Sequence, residues 1–177
     1  LFSIEQYVEM ALQFSRLSAK STDFVIGEVS LDKVVREAIH KYARLFVRKK
    51  IKMELSSIDT QVLTDEKWLE FVIEQILSNA IKYTAGGTIS VYLKEEPEQE
   101  TKELVIEDTG IGIAPEDLPR IFEKGYTGYN GHADKRSTGI GLYLCRKIMR
   151  KLSHEITIES EIGVGTKVHL EMRSRDK

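Results

Sequence analysis

The sequence predicts an α/β fold of the α+β type, a two-layer α/β sandwich with a mostly antiparallel sheet. Amphipathic helical segments alternate with strand-like segments, and the strand segments are joined largely by short turns typical of hairpins. Of the 177 residues, 41% are apolar, which is enough for a substantial core. Because hairpins produce antiparallel pairs, this order favours the sandwich over a doubly wound parallel sheet.

The N-terminal segment is predicted to be a helix over residues 1–20. Its apolar side chains recur every three or four residues, at Leu1, Ile4, Val8 and Ala11. A helix of this length is marginally stable alone and needs a partner surface. That partner is either the rest of this chain or a dimerising helical bundle, and periodicity does not distinguish the two.

An extended run from Phe24 to Val29 comes next, followed by a helix from Leu31 to about Phe46. Ser30 is suited to cap this helix, because its hydroxyl can accept from a backbone N–H of the first turn. Two strands are then predicted, at Ile51–Leu55 and Gln61–Leu63.

A long amphipathic helix is predicted over residues 65–83, with Thr64 or Asp65 as its cap. Its apolar face comprises Leu69, Val72, Ile73, Ile76, Leu77 and Ala80. The later elements are strands at Thr88–Leu93, Glu103–Glu107, 154–160 and 166–172, and a helix at about Ile140–Leu152. We expect the acidic stretch 95–103 to form a hairpin loop.

Composition narrows the range of functions. The net charge is -2, so no basic excess indicates binding to nucleic acid or to an anionic membrane. The single cysteine, Cys145, lies in an apolar helical segment and is interpreted as a core residue. No segment approaches the ~18 uninterrupted apolar residues of a membrane span. Since the chain begins at Leu1 within a helical pattern, we expect a fragment of a longer protein.

The glycine-rich segments do not match the common phosphate-binding motifs. No glycine begins a GxxxxGK[ST] loop. The dinucleotide fingerprint lacks its third glycine after both Gly110 and Gly139, where Pro115 and Leu144 stand. The two most common classes of nucleotide-binding loop are therefore excluded.

Two other arrangements of glycine can serve a nucleotide. Asp108 ends a strand, so its carboxylate could accept a hydrogen bond from an exocyclic amino group such as that of adenine. The glycines that follow, Gly110 and Gly112, let the backbone approach a flat base. Gly139 and Gly141 open a helix, whose N–H groups and dipole suit phosphate. Each segment alone is more often a simple turn, but together they indicate a nucleotide site.

A polar stripe on helix 65–83 completes this pattern. Gln75, Asn79, Lys82 and Tyr83 follow at helical spacing and flank the apolar face. Asn79 offers a neutral oxygen to Mg²⁺, Lys82 a charge to phosphates and Tyr83 a flat face to a base. On a helix considered alone, a solvated polar face explains the stripe better.

These segments resemble the sequence boxes of the GHKL ATPase superfamily and, within it, of the sensor histidine kinases. The resemblance rests on residues 75–83 (asparagine box), 108–113 and 137–142 (first and second glycine boxes), 121–124 (phenylalanine box) and 163–166 (closing motif). All five occur in the family's order and cover most of residues 65–170. The sequence of residues 125–145 is similar to that of the bacitracin-sensing, antimicrobial-peptide branch of these kinases.

The resemblance implies a Bergerat ATP-binding fold and assigns roles to the matching residues. Asp108 would bind the adenine amino group, supported by Thr166 through water, and Tyr83 would pack near the base. Asn79 and Gln75 would hold Mg²⁺, while Lys82 and Lys124 contact the phosphates. Together, Gln75, Asn79 and Lys82 would be the catalytic residues. Gly139 and Gly141 would close on the triphosphate, and the segment Phe122–Thr138 would be a mobile lid. The remaining residues implied to contact ATP are Gly110, Gly112, Ile113, Phe122, Ile140 and Leu142.

Gln75 departs from the family's usual residue. Many kinases have asparagine there, and the hydrolysing relatives have glutamate. A glutamate can activate water as a general base, whereas an amide cannot. Gln75 therefore argues for transfer to another acceptor over hydrolysis. Glu74 lies about 100° around the helix and is not expected to replace that base.

The phosphorylated histidine is expected to lie outside this chain. None of the four histidines has the acidic context of an acceptor, and His40 is interpreted as an ordinary helix residue. Residues 1–22 resemble the end of the family's dimerisation helix, and 23–177 the catalytic domain. The resemblance implies homodimerisation of the whole protein, a response regulator receiver domain as partner, and a cytoplasmic domain of a membrane protein without direct membrane contact in this part. An ATP-binding scaffold without transfer activity is the alternative.

Overall fold

The structure is a computed structural model that describes residues 2–18, 24–94, 100–126 and 140–173. In chain order the elements are α1 (Phe2–Ser18), β1 (Ile26–Ser30), α2 (Leu31–Lys41), α3 (Ala43–Arg48), β2 (Lys52–Leu55), β3 (Gln61–Asp65), α4 (Glu66–Tyr83), β4 (Thr88–Lys94), β5 (Thr101–Asp108), a 3-10 helix (Leu118–Arg120), α5 (Gly141–Lys151), β6 (Glu155–Glu161) and β7 (Gly165–Arg173). Each strand expected from the sequence is present, with ends that agree to within two residues.

The main sheet has five strands in the order β2-β4-β5-β7-β6. Strands β2 and β4 are parallel, and the other three neighbouring pairs are antiparallel. The prediction of a mostly antiparallel sheet is therefore confirmed. Strands β1 and β3 form a separate antiparallel pair, in which Ile26 lies opposite Asp65 and Ser30 opposite Gln61.

The helix caps follow from side chains that the sequence singled out. Ser30 Oγ accepts from Lys33 N at 3.4 Å at the start of α2. Of the two candidates at the start of α4, Asp65 is the cap, and its Oδ1 accepts from Trp68 N at 3.0 Å. Its Oδ2 accepts from Val25 N at 2.7 Å, so the same carboxylate also ties the residue before β1 to α4.

The prediction of one continuous helix from Leu31 to Phe46 is wrong, because the helix breaks at Tyr42. Tyr42 has φ −103° and ψ 9°, and its N–H donates to Ile39 O at 3.1 Å, three residues back, so the last turn of α2 is tightened. Beyond the break, Lys49 Nζ donates to the carbonyl oxygens of Ile81 and Lys82, the last of which lies at 3.2 Å. Lys49, the residue after α3, therefore donates to carbonyl oxygens at the end of α4.

The core lies between the helices and the main sheet, with α4 at its centre. The whole apolar face predicted for this helix is buried. Helices α2 and α5 both pack against α4, and Cys145 of α5 is fully buried as expected. Complete burial of one Leu or Ile side chain contributes roughly 1.5–3 kcal/mol, so this face is a main source of stability.

Helix α1 packs in part on its own chain. Leu17 is 1% exposed and belongs to the core cluster, and the half-buried Met10 packs against that cluster. Val8 and Leu12, on the same helix, remain exposed. Among the described residues, no helix combines the length and apolar character needed to cross a membrane.

Candidate functional site

Helix α4 carries the predicted polar stripe at the margin of its buried face. Gln75 is buried, whereas Asn79, Lys82 and Tyr83 are half-buried. The ammonium of Lys82 lies 5.3 Å from the centre of the Tyr83 ring, so these two side chains share one region of the surface. The partial exposure of the stripe leaves its polar groups accessible to a ligand.

Glu74, next to this stripe, takes a different direction. Its carboxylate is ion-paired with Lys41 of α2, with 2.8 Å between Oε2 and Nζ. Glu74 is therefore held by a neighbouring helix, as its angular position on α4 suggested. The residue that could supply a general base is engaged in the fold.

The N-terminus of α5 lies beside Gln75. Ile140 is the N-cap residue and provides no side-chain cap, so the first N–H groups of α5 lack that partner. A Cβ placed on Gly141 would lie 3.5 Å from Gln75 Oε1 and 3.6 Å from the Met10 methyl group. A helix N-terminus next to an amide side chain is suited to negatively charged phosphate oxygens.

Asp108 ends β5 and lies opposite Thr166 of β7. Gly110 N donates to its Oδ1 at 2.8 Å, and the carboxylate is buried. Burial raises the pKa of Asp108, while the backbones of Gly110 and Thr166 and the hydroxyl of Thr84 act in the opposite direction. A buried carboxylate in this position is a strong acceptor for a ligand's N–H group.

The loop after Asp108 is clamped on both sides. Ile111 N donates to Tyr83 O of α4 at 3.1 Å, and Gly163 N donates to Ile111 O at 2.9 Å. Gly112 has φ +76°, and a Cβ there would lie 2.2 Å from Glu161 O, so only glycine fits. The loop thereby connects the polar stripe of α4 with the turn between β6 and β7.

Thr166 and Ile113 are joined through Ser160, which sequence reasoning missed. Ile113 N donates to Ser160 Oγ at 2.8 Å, and this oxygen lies 2.7 Å from Thr166 Oγ1. Ser160 lies on β6, and its register position opposite Thr166 depends on the sheet. A serine within an alternating strand gives no sequence signal for such a role.

Thr84 is the second residue that sequence reasoning missed. It is the C-cap residue of α4, is 1% exposed, and directly follows Tyr83. A Cβ on Gly110 would lie 2.9 Å from Thr84 Oγ1 and 2.8 Å from Asp108 Oδ1, so both oxygens border the same small space. Its place at the end of the polar stripe was the signal that could have identified it.

The remaining predicted residues are distributed around this centre. Phe122 is half-buried against the core, and the Arg146 guanidinium lies 4.8 Å from its ring centre. Lys124 is exposed. Ile140 and Leu142 are half-buried at the start of α5. Gly139 and residues 127–138 of the expected lid lie outside the described residues.

The polar groups on α4 were tested for their fit to a magnesium ion bound together with a nucleotide. In the described ranges, no group of three or more His, Cys, Asp or Glu side chains could hold a metal ion. Gln75 and Asn79, one turn apart on α4, offer neutral amide oxygens. Mg²⁺ is commonly bound by few protein oxygens together with waters and substrate phosphates.

The chain is similar to known proteins over most of its length. Residues 64–176 match the family of histidine kinase-, DNA gyrase B- and HSP90-like ATPases. The chain is 39% identical over 166 residues to the sensor histidine kinase YxdK of Bacillus subtilis, and 36% identical over 163 residues to the sensor protein BceS of that organism. These alignments cover 93% and 92% of this chain but only 51% and 48% of the two relatives. The chain thus spans about half the length of the curated relatives it matches.

Solved structures show the same fold. The mycobacterial sensor histidine kinase MprB aligns with a TM-score of 0.71 at 24% identity, covering 86% of this chain and 100% of that chain. Full-length ShkA, solved in complex with AMPPNP, aligns with a TM-score of 0.78 at 22% identity, covering 96% of this chain and 36% of that chain. Because the family model covers most of the chain, the protein belongs to the histidine kinase-, DNA gyrase B- and HSP90-like ATPase family, and its recognition as an ATP-binding domain of the sensor histidine kinase type is confirmed.

Proposed function

We propose that this chain is the catalytic part of a sensor kinase that transfers the γ-phosphate of ATP to a histidine on a separate helical segment. The buried carboxylate of Asp108, joined through its glycine loop to the polar stripe of α4, is the observation that carries the proposal. This arrangement provides an acceptor for the adenine amino group and, along the same helix, groups for metal and phosphate.

The proposed roles of the site residues follow their chemistry. Asp108 binds the adenine amino group, and Thr166 supports it. Asn79 and Gln75 hold Mg²⁺, which neutralises phosphate charge, and Lys82 and Lys124 contact the phosphates. The residues that line the base are Gly110, Gly112, Ile113, Tyr83 and Phe122. Those that line the triphosphate are Gly139, Ile140, Gly141 and Leu142. Catalysis is by positioning and charge neutralisation.

Transfer is favoured over hydrolysis by the residue at position 75. Gln75 cannot act as a general base, and the adjacent Glu74 is ion-paired with Lys41. Neither residue is therefore placed to activate a water molecule as a glutamate at position 75 would.

The wider assignment concerns the whole protein. Residues 1–22 form the end of a dimerisation helix and 23–177 the catalytic domain. The whole protein is a homodimer in the membrane with this part in the cytoplasm, of the bacitracin- and antimicrobial-peptide-sensing type. A response regulator receiver domain takes the phosphoryl group. The exposed Val8 and Leu12 side chains support a further helix packing on α1.

The test combines this chain with Mg²⁺, γ-labelled ATP and a separate histidine-bearing two-helix fragment. We expect acid-labile label on the fragment, none on this chain alone, and none with the Asn79→Ala variant. A fragment with its histidine replaced by glutamine is the matched control. Release of labelled inorganic phosphate without labelled fragment would indicate a hydrolase. Binding of ATP with neither reaction would favour the scaffold.

A further inference from the structure

The hydroxyl of Thr84 is a buried polar group without a hydrogen-bond partner among the described residues. The residue is 1% exposed, so surface water does not supply the missing hydrogen bond. A buried hydroxyl without a partner costs stability, and native proteins retain few such groups. Packing alone therefore does not explain a threonine at this position.

The surroundings of this hydroxyl point to Asp108. Thr84 Oγ1 and Asp108 Oδ1 border the same space beside Gly110, at 2.9 and 2.8 Å from the position of a Cβ there. The hydroxyl favours the ionised form of the carboxylate, although the contact falls short of hydrogen-bond geometry. A hydrogen bond from this hydroxyl to the carboxylate would pair a buried donor with a buried acceptor.

We propose that Thr84 is a positioning residue that sets the selectivity of the site for a 6-amino purine. When the nucleotide binds, the Thr84 hydroxyl donates to the Asp108 carboxylate and holds its other acceptor positions toward the exocyclic amino group. The inference rests on the proposed ATP site. A 6-oxo purine would place a carbonyl oxygen against the same carboxylate and is therefore rejected.

The location of Thr84 gives this contact a second consequence. As the C-cap of α4, it follows the stripe that carries Asn79 and Lys82. A backbone hydrogen bond of 3.1 Å from Ile111 N to Tyr83 O also joins the loop after Asp108 to the end of α4. The side-chain contact thus links the groups assigned to the base with those assigned to the phosphates.

The test compares Thr84→Val, which keeps the shape and removes the hydroxyl, with Thr84→Ser, which keeps the hydroxyl. Dissociation constants for ATP and for ITP are measured by calorimetry in the presence of Mg²⁺, and thermal unfolding is recorded without nucleotide. We expect Thr84→Val to bind ATP about 5- to 20-fold more weakly, with ITP affinity unchanged. Thr84→Ser should bind ATP within about threefold of the unsubstituted chain. Without nucleotide, Thr84→Val should be at least as stable as the unsubstituted chain, because it removes an unpaired buried hydroxyl.

Several results would overturn the inference. If the unsubstituted chain prefers ATP to ITP and Thr84→Val keeps that preference, the positioning role is wrong while the ATP site stands. Equal loss of ATP and ITP affinity in Thr84→Val would show a general structural role, and failure of Thr84→Ser to restore binding would contradict a role of the hydroxyl. If the unsubstituted chain does not distinguish ATP from ITP, base recognition by Asp108 fails, and the inference fails with it.

Discussion

Single residues show how burial is used for opposite purposes in this domain. Asp108 is buried beside groups that leave its carboxylate as an acceptor, and burial raises its pKa. His154 is buried as a neutral ring, with its Nε2 atom 2.9 Å from Thr64 Oγ1. Burial, with a smaller contribution from the Arg173 charge, lowers the pKa of His154 to about 4. The first residue belongs to the candidate site, whereas the second is paired with Thr64.

The pH dependence of stability should report His154. Its pKa in the unfolded chain is about 6.5, so the unfolded state binds a proton more readily between that value and the folded value. The contribution of neutral His154 to the free energy of unfolding is fully present above about pH 6.5. It is lost as the pH falls toward about 4, and the loss amounts to roughly 3 kcal/mol. Urea unfolding at several pH values should show a smaller acid loss for His154→Gln than for the unsubstituted chain. Identical acid losses in the two proteins would contradict this account.

Glycine positions provide a second residue-scale prediction. Gly112 and Gly163 both have positive φ, of +76° and +80°, but only Gly112 faces backbone at its missing Cβ. Gly163→Ala should cost about 1–2 kcal/mol for the backbone conformation alone. Gly112→Ala should lower the free energy of unfolding by more than the control, by about 3–5 kcal/mol, because Glu161 O must also move. Denaturant unfolding of the pair measures the difference, and equal costs would show that the close approach does not restrict position 112.

Secondary-structure elements were predicted well where one helix or strand carries its own pattern. The apolar face of α4 and the positions of the strands are examples. The break at Tyr42 could not be predicted, because the buried residues on both sides of it keep uninterrupted helical spacing. These buried residues are Leu31, Val34, Val35, Ala38, Tyr42 and Phe46.

The pairing of the strands also could not be predicted from the sequence. Alternation predicts that a strand exists but does not identify its partner, so the separate β1–β3 pair emerged only in the structure. In the candidate site, the motif residues were predictable from spacing. Ser160 was not, since its partner Ile113 lies 47 residues away and a hydroxyl residue in a strand has many ordinary roles. For Thr84 the sequence offered only its position directly after the stripe.

The contact between α2 and α4 can be tested through its ion pair. Burial alone would lower the pKa of Lys41, but the hydrogen bond and charge of Glu74 raise it. The Glu74 side chain is only 9% exposed, so removal of Lys41 would leave a buried carboxylate without its cation. Because Lys41 itself is 41% exposed, we expect Lys41→Met to lower the free energy of unfolding by only about 1–2 kcal/mol.

The control for this prediction is an exposed pair. Lys52 and Glu54 are 72% and 52% exposed, so Lys52→Met should change the free energy of unfolding by less than about 0.5 kcal/mol. The double variant Lys41→Met/Glu74→Leu should recover part of the loss, because no buried charge remains. Equal losses of unfolding free energy in Lys41→Met and Lys52→Met, measured by urea unfolding, would show that the Lys41–Glu74 pair stabilises the fold no more than an exposed pair does.

At the scale of the whole molecule, the fold brings three separate segments to one site. The stripe of α4, the loop after β5 and the start of α5 are joined by Tyr83 O, Gln75 and the β6–β7 turn. Helix α1 adds Met10 beside Gly141, while Leu17 anchors the same helix in the core. A segment proposed to end a dimerisation helix therefore touches the start of the proposed phosphate site.

Binding of ATP at Asp108 is the central claim, and thermal unfolding with ATP, ADP and GTP, each with and without Mg²⁺, tests it most directly. A ligand at about a hundred times its Kd adds roughly 2.7 kcal/mol, which corresponds to a rise in Tm of roughly 5–10 °C for a chain of this size. We predict such a rise for ATP and ADP, strengthened by Mg²⁺, none for GTP, and its loss in Asp108→Asn. Absence of a rise with every nucleotide, or a rise that persists unchanged in Asp108→Asn, would contradict the account.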